Sequence, residues 1–169
     1  NLNLEIFFNK NNKEENNNII NSYISTKKMN YNFENLNINK SNDLTLIACH
    51  TDSQLKLYSL IYNLNFIAKI SQKIIIINSK ELMHLNLEKQ IIKYFNKDFI
   101  TSNNITFKYY ENDCYLCQGK WFYCLNEINY KSYKNIILTN DSYILYNSLN
   151  YFKDIWDKDI EMSTYFFTY

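Results

Sequence analysis

Residues 135–142 have the sequence Asn135-Ile136-Ile137-Leu138-Thr139-Asn140-Asp141-Ser142, a short apolar run that ends in a polar cluster. β-Branched and leucine residues followed by turn-forming residues predict a buried strand whose carboxyl end opens into a loop. In open α/β sheets, ligands bind outside the carboxyl ends of the strands. Asp141 is therefore the first candidate for a functional residue, because a carboxylate placed there can hold a divalent cation against a phosphate.

Strand-like and helix-like segments alternate through the chain that precedes this strand. Apolar runs predict strands over 44–49, 73–79 and 105–110, and the fourth strand over 135–138. Apolar residues at helical spacing predict helices over 54–70, over 82–95, over 120–128 and over 149–156. Asp52 and Ser53 are the two candidates for the cap of the first helix.

This alternation is typical of an α/β fold with a mostly parallel sheet and helices on both faces. The carboxyl ends of the strands then place four polar segments along one edge of the sheet, which we call the carboxyl rim. The segments are 50–53, 78–80, 111–113 and 139–142. The chain has one Gly and therefore no phosphate-binding loop of the Walker or Gly-x-Gly-x-x-Gly type.

The composition is that of one folded domain with a polar arm. A chain of 169 residues with 46% hydrophobic residues is long enough for one sizeable core. Residues 1–40 are rich in Asn and Lys and predict a low-complexity arm or linker, whereas residues 41–169 predict the domain. The bias toward Asn, Lys, Ile and Tyr is typical of an AT-rich genome, so the Asn and Lys runs indicate solvated surface.

Charge, hydropathy and cysteine content exclude several classes of protein. A net charge of +1 without any Arg argues against nucleic acid as a partner. No apolar stretch is long enough to predict a transmembrane segment. The four cysteines, without secretory features, predict free thiols in the reducing cytoplasm. A zinc site is the weaker alternative for three of them, Cys114, Cys117 and Cys124.

Two segments in combination resemble a family of enzymes. The first contains Glu111-Asn112-Asp113 and Gln118-Gly119-Lys120-Trp121, and the second is the strand that ends in Asn140-Asp141-Ser142. Their order resembles glycosyltransferases of the rhamnan-synthesis and lipopolysaccharide-side-chain type from bacteria and giant viruses. Those proteins have a GT-A-like domain with a Rossmann-type nucleotide-binding half. They also have a later His-x-Gln-Ser-like motif, so the resemblance implies that this domain is truncated at its C-terminus.

The resemblance implies a metal-assisted glycosyltransferase of polysaccharide biosynthesis. It would transfer a sugar from a nucleoside-diphosphate sugar donor to a glycan or protein acceptor. Asp141, with Asp113, would bind Mn²⁺ or Mg²⁺, because a metal stabilises the diphosphate leaving group. Donor binding would involve seven residues: His50, Thr51, Asp52, Asp113, Trp121, Asn140 and Ser142. The resemblance assigns no catalytic residue, and a truncated domain can bind a donor without turning it over.

Structural alternatives stand beside these roles. Asp141 can cap a helix that follows the strand, Trp121 can be a core aromatic residue, and His50 can be a polar loop residue. At the level of the whole chain, the alternative is a non-catalytic α/β module that binds a glycan or a protein partner.

Overall fold

The computed structural model describes residues 42–111 and 116–142. Four strands in these ranges form one sheet: β1 (Asp43–Ala48), β2 (Lys73–Ser79), β3 (Ile105–Tyr110) and β4 (Asn135–Asn140). The α-helices are α1 (Gln54–Ile70), α2 (Leu87–Tyr94), α3 (Lys97–Ser102) and α4 (Leu116–Glu127), and 3-10 helices span Lys80–Leu85 and Tyr130–Ser132. The predicted α/β class is confirmed. The arm, Asp113, Cys114 and the predicted final helix lie outside the described residues.

The sheet is parallel throughout, with the strand order β3-β2-β1-β4. β1 is central, and its Leu46 is paired with Ile75 on one side and with Leu138 on the other. The chain passes outward from β1 to β2 and β3, and β4 then lies on the opposite side of β1. The strand order therefore reverses between β1 and β4, and such a switch point is where open α/β sheets bind ligands.

Alternating side chains of the buried strands form a core on each face of the sheet. Ile47, Ile74 and Ile76 pack against the buried face of α1. Leu46 and Ile77 lie on the other face, where they cluster with Cys124 of α4. Full burial of one such aliphatic side chain contributes roughly 1.5–3 kcal/mol. Helices thus cover both faces of the sheet, as the sequence predicts.

The single helix predicted over 82–95 is wrong, because Asn86 interrupts it, and the short helix α3 that follows Asn96 is not predicted from the sequence. Asn86 has φ of 48° and separates the 3-10 helix from α2, and Asn96 has φ of 112° and separates α2 from α3. The side chain of each caps the helix that follows, through the backbone N–H of Lys89 and Phe99 respectively. Apolar periodicity continues through Asn86 and therefore does not reveal that break.

β4 departs from the prediction of a buried strand that ends at Leu138. It continues to Asn140, and Ile136 and Leu138 are 37% and 46% exposed. The physical reason is position: β4 is at the edge of the sheet in the described part of the chain, and α4 packs mainly on β1 and β2. α4 itself begins at Leu116, four residues before the predicted start at Lys120.

Within residues 42–111 and 116–142, none of the helices combines the length and the apolar character that a membrane span requires.

Candidate functional site at the carboxyl rim

Asp141 connects the ends of β1 and β4. Its Oδ2 accepts hydrogen bonds from the backbone N–H of His50, at 3.1 Å, and from Oγ1 of Thr51, at 3.0 Å. The register explains the contact, since Asn140 is the partner of Ala48 and the next residues of both strands leave the sheet side by side. Three predicted site residues therefore meet at the switch point between β1 and β4.

The electrostatic state of Asp141 reflects its burial, since the residue is 3% exposed. Burial raises the pKa of its carboxyl above the ordinary value, while the hydrogen bonds from Thr51 and His50 act in the opposite direction. Asn140 and Ser142, the two neighbours predicted with it, are more exposed than Asp141. Asn140 accepts the backbone N–H of Ser142 at 2.9 Å, which makes a tight polar turn directly after β4.

Lys120 is a rim residue to which the sequence analysis gave no role. Its side chain is 4% exposed, and its ammonium donates to the carbonyl oxygen of Cys49 at 2.5 Å and to Oγ of Ser79 at 2.7 Å. Burial lowers the pKa of Lys120, although nearby acidic groups such as Asp141 oppose the shift. The signal available in the sequence was helical spacing, because Lys120 is four residues before the core residue Cys124 and shares its face of α4.

Ser79 and Asn78 connect the end of β2 to the same loop. Oγ of Ser79 lies 2.7 Å from Nδ1 of His50. Oδ1 of Asn78 accepts the backbone N–H of Thr51 at 3.2 Å and that of Ser79 at 2.9 Å. Nδ2 of Asn78 is buried without a hydrogen-bond partner in the described part of the chain. The loop after β1 is thus held from β2 and from β4 at once.

Asp52 lies at the exposed side of this loop, beside the start of α1. Its Oδ1 is 2.9 Å from the ammonium of Lys56, which also donates to the carbonyl oxygen of His50 at 3.0 Å. Partial burial tends to raise the pKa of Asp52, but the contact with Lys56 outweighs this effect and the pKa is lowered. Of the two candidate caps, Ser53 is the one used, since its Oγ accepts the backbone N–H of Lys56.

A cleft of about 170 Å³ opens between the first turn of α1 and the segment that leads into α2. Polar residues of the loop and helix start form one wall, and leucines and a glutamine form the other. The lining comprises Thr51, Asp52, Ser53, Gln54, Leu57, Leu85, Leu87 and Gln90. The predicted residues Thr51 and Asp52 therefore lie at a concave surface that mixes apolar area with hydrogen-bonding groups, although its volume is below the roughly 300–1,000 Å³ of typical small-molecule pockets.

Trp121 is partly buried between α4 and the sheet. Its indole N–H donates to the carbonyl oxygen of Thr139 at 3.1 Å, and its ring packs against the core cluster on the α4 face. This contact agrees with the core alternative for Trp121, because the polar tip of the ring is already paired. A role of Trp121 in donor binding stays a prediction.

Asp141 does not belong to a cluster of three metal-binding side chains among the described residues. Within residues 42–111 and 116–142, no three His, Cys, Asp or Glu side chains are arranged to hold a metal ion. Asp113, the second predicted carboxylate, lies outside those ranges. The described residues alone therefore do not fit a complete Mn²⁺ or Mg²⁺ site around Asp141.

The described cysteines are free thiols: Cys49, Cys117 and Cys124. Burial raises the pKa of all three. Cys117 and Cys124 are separated by seven residues of one helix, or about 10 Å along its axis. Two thiolates on one zinc ion lie within about 5 Å of each other, so these two cysteines cannot share a zinc site.

Compared with protein-family models, curated proteins and solved structures, the chain has no match in any of the three.

Proposed function

We propose that this chain binds a nucleoside-diphosphate sugar at the carboxyl rim and forms the nucleotide-binding part of a GT-A-like glycosyltransferase. The observation that carries the proposal is the pair of hydrogen bonds from His50 and Thr51 to Asp141. They join the ends of β1 and β4 at the reversal of strand order, where doubly wound sheets bind nucleotides. The order of motifs in the sequence supports the same class of enzyme.

The rim also has groups suited to a diphosphate. Glycosyl transfer leaves a nucleoside diphosphate, so negative charge increases on its phosphate oxygens, and positioned positive groups stabilise that charge. α1 has 17 residues, and its N-terminal amides carry a partial positive charge beside the cleft. Lys56 adds a full positive charge one turn into the helix, although Asp52 neutralises part of it.

Metal assistance is a separate part of the proposal. Mn²⁺ or Mg²⁺, when bound by Asp141 and Asp113, would supply Lewis-acid stabilisation of the departing diphosphate. The described residues complete no such site, so the binding of phosphate is assigned only to the helix terminus and to Lys56. The free thiols of the described cysteines support a reducing compartment, and we propose a cytoplasmic location.

A second candidate function is a non-catalytic module that binds a glycan or a protein partner. The observation in its favour is an apolar surface on α4, where Leu116 is 75%, Phe122 63% and Tyr123 40% exposed. Exposed apolar and aromatic groups in one place are typical of interaction surfaces. This candidate predicts binding to a partner that Phe122→Ser weakens and that nucleotides do not affect.

A thermal-shift screen of the whole chain tests the first proposal. UDP, GDP, dTDP and CMP are each added with and without Mn²⁺. The proposal predicts that one nucleotide raises the melting temperature, since a ligand that binds only the folded state stabilises it. An increase that needs Mn²⁺ would support the metal part. No increase with any nucleotide would contradict the proposal and favour the non-catalytic module.

A further inference from the structure

Lys120, Ser79 and His50 form a chain of hydrogen bonds from the buried face of α4 to the carboxyl rim. Lys120 and Ser79 are 4% and 0% exposed, whereas the side chain of His50 is 36% exposed. The two bonds are both 2.7 Å long, from the ammonium to Oγ of Ser79 and between that Oγ and Nδ1 of His50. A buried lysine is therefore linked to an accessible imidazole by two hydrogen bonds that share the hydroxyl group of Ser79.

The direction of each hydrogen bond follows from the groups involved. The ammonium form of Lys120 has three donors and no lone pair, so Oγ of Ser79 accepts a hydrogen bond from it. The hydroxyl hydrogen of Ser79 then needs an acceptor, and among the described residues the remaining partner of Oγ is Nδ1 of His50. If Nδ1 carried a hydrogen instead, the buried hydroxyl would have no acceptor, and buried polar groups are rarely left in that state.

The other ring nitrogen, Nε2, must then carry the hydrogen of the neutral imidazole. Nε2 lies 3.7 Å from Oδ2 of Asp52, which is too far for a hydrogen bond but places the N–H beside a carboxylate. Glu81 faces the opposite nitrogen, with Oε1 at 3.9 Å from Nδ1. Oγ of Ser79 is 2.7 Å from Nδ1 and Oε1 of Glu81 is 3.9 Å from it, so the hydroxyl group of Ser79 determines which ring nitrogen carries the hydrogen.

We propose that Ser79 and Lys120 are positioning residues that hold His50 in the Nε2–H tautomer, so that the imidazole presents a hydrogen-bond donor at the carboxyl rim. The tautomer follows from the contacts alone. The ligand that receives the hydrogen bond, a phosphate or hydroxyl oxygen of the sugar donor, rests on the proposed function. Neutral His50 is accordingly a donor through Nε2 and cannot serve as a general base there.

His84, the only other histidine in the chain, provides an internal control. Its Nδ1 lies 2.8 Å from the backbone carbonyl oxygen of Glu81, and a carbonyl oxygen only accepts. Neutral His84 must therefore carry its hydrogen on Nδ1. The two histidines are expected in opposite tautomers within one molecule.

Long-range ¹H–¹⁵N correlation spectra of the full ¹⁵N-labelled chain test the tautomers directly. The spectra are recorded over a rising pH series until the imidazole signals stop changing, and the tautomers are assigned from these final spectra. We expect Nδ1 of His50 to resonate as an unprotonated nitrogen and Nδ1 of His84 as a protonated one. His84→Gln assigns the two sets of signals. A protonated Nδ1 in wild-type His50 would overturn the proposal without the need for any further variant.

The role of Ser79 is tested by Ser79→Ala, with Ser79→Thr as the variant that keeps the hydroxyl. We expect the Nδ1 signal of His50 to move toward the average of both tautomers in Ser79→Ala and to stay in place in Ser79→Thr. An unchanged signal in Ser79→Ala would overturn the positioning role. No nucleotide is present, so a failure of nucleotide binding leaves these results unaffected.

The donor role is tested by nucleotide affinity. His50→Gln retains an N–H donor close to the position of Nε2, whereas His50→Met removes it. We expect the dissociation constant to rise up to roughly tenfold in His50→Met, which is the effect of one lost hydrogen bond, and to change less in His50→Gln. Equal affinities of wild type and His50→Met would overturn the donor role.

Discussion

The hydroxyl of Thr51 donates to Oδ2 of Asp141 over 3.0 Å, although the two residues are 90 positions apart in the chain. Both side chains are almost completely buried. Together with the bond from the backbone N–H of His50, it holds the loop after β1 against the end of β4. A nucleotide that enters at this point would meet a preformed surface.

Thr51→Val tests the energy of this contact. Valine has nearly the same shape but cannot donate, and a hydrogen bond to a charged group contributes about 1.5–3 kcal/mol. We expect the free energy of unfolding to fall by about that amount, as measured by urea denaturation at pH 7. Thr51→Ser retains the hydroxyl and serves as the control. A Thr51→Val protein as stable as Thr51→Ser would show that the bond contributes nothing.

Asp141→Asn and Asp141→Ala separate the charge of Asp141 from its role as an acceptor. Asparagine retains a carbonyl oxygen for the donors on His50 and Thr51, whereas alanine leaves them unpaired at a cost of about 1–3 kcal/mol. In urea denaturation with EDTA at pH 7, we expect Asp141→Asn to be at least as stable as wild type and Asp141→Ala to be less stable. An Asp141→Asn protein as unstable as Asp141→Ala would contradict this account.

The difference in stability between Asp141→Asn and wild type is expected to change with pH. Because burial raises the pKa of Asp141, the folded state binds more protons than the unfolded state just above the ordinary carboxyl pKa. The contribution of Asp141 to stability is therefore present at low pH and lost as pH rises through the raised pKa. We expect Asp141→Asn to gain stability relative to wild type between pH 4 and pH 7. A relative loss over this range would mean that the folded state favours the carboxylate.

Asn96 is expected to be a strained position. Its φ of 112° with ψ of 169° lies in a region that is nearly exclusive to glycine and costs a non-glycine residue about 1–3 kcal/mol. Its side chain also caps α3, but glycine replaces such a cap at a cost of only a few tenths of a kcal/mol. We expect Asn96→Gly to raise the free energy of unfolding by about 1 kcal/mol, and Asn96→Ala to lower it. A destabilised Asn96→Gly would show that the backbone is unstrained.

Leu46 and Leu138 are partners across β1 and β4 on the same face of the sheet, but their exposures differ. Leu46 is fully buried and Leu138 is 46% exposed. We expect Leu46→Ala to cost about 2–5 kcal/mol in thermal or urea unfolding, and Leu138→Ala less than about 1 kcal/mol. Equal losses would indicate that Leu138 is covered in solution.

Local patterns in the sequence predicted most of the described sheet and its first helix. Continuous apolar runs define β1 and β2, and α1 has both a periodic apolar face and a serine cap at Ser53. The sequence does not reveal the break at Asn86, because a left-handed φ leaves apolar spacing unchanged, and six residues are too few for α3 to show a clear helical period. β4 was assigned as buried because an edge strand and a central strand can have the same apolar run.

At the site, the sequence indicated which residues follow the strands but not how they interact. Placement of Asp141 after β4 led to its selection, whereas its two donors come from a loop 90 residues earlier. Ser79 belongs to the predicted rim segment 78–80, but its contact with Lys120 is not predicted, because that contact depends on how α4 packs on the sheet. Only the three-dimensional arrangement reveals that a buried lysine and a serine support His50.

The central claim is that a nucleotide binds at the carboxyl rim together with a metal ion held by Asp141, and calorimetric titration in the presence of Mn²⁺ tests it most directly. The nucleotide selected by the thermal-shift screen is titrated with Mn²⁺ into wild type, Asp141→Asn and Asp98→Asn, a matched change at an exposed aspartate of α3. The account predicts binding by wild type and Asp98→Asn, with at least about tenfold weaker binding by folded Asp141→Asn, a loss of about 1.4 kcal/mol. Equal affinity in all three proteins would contradict it.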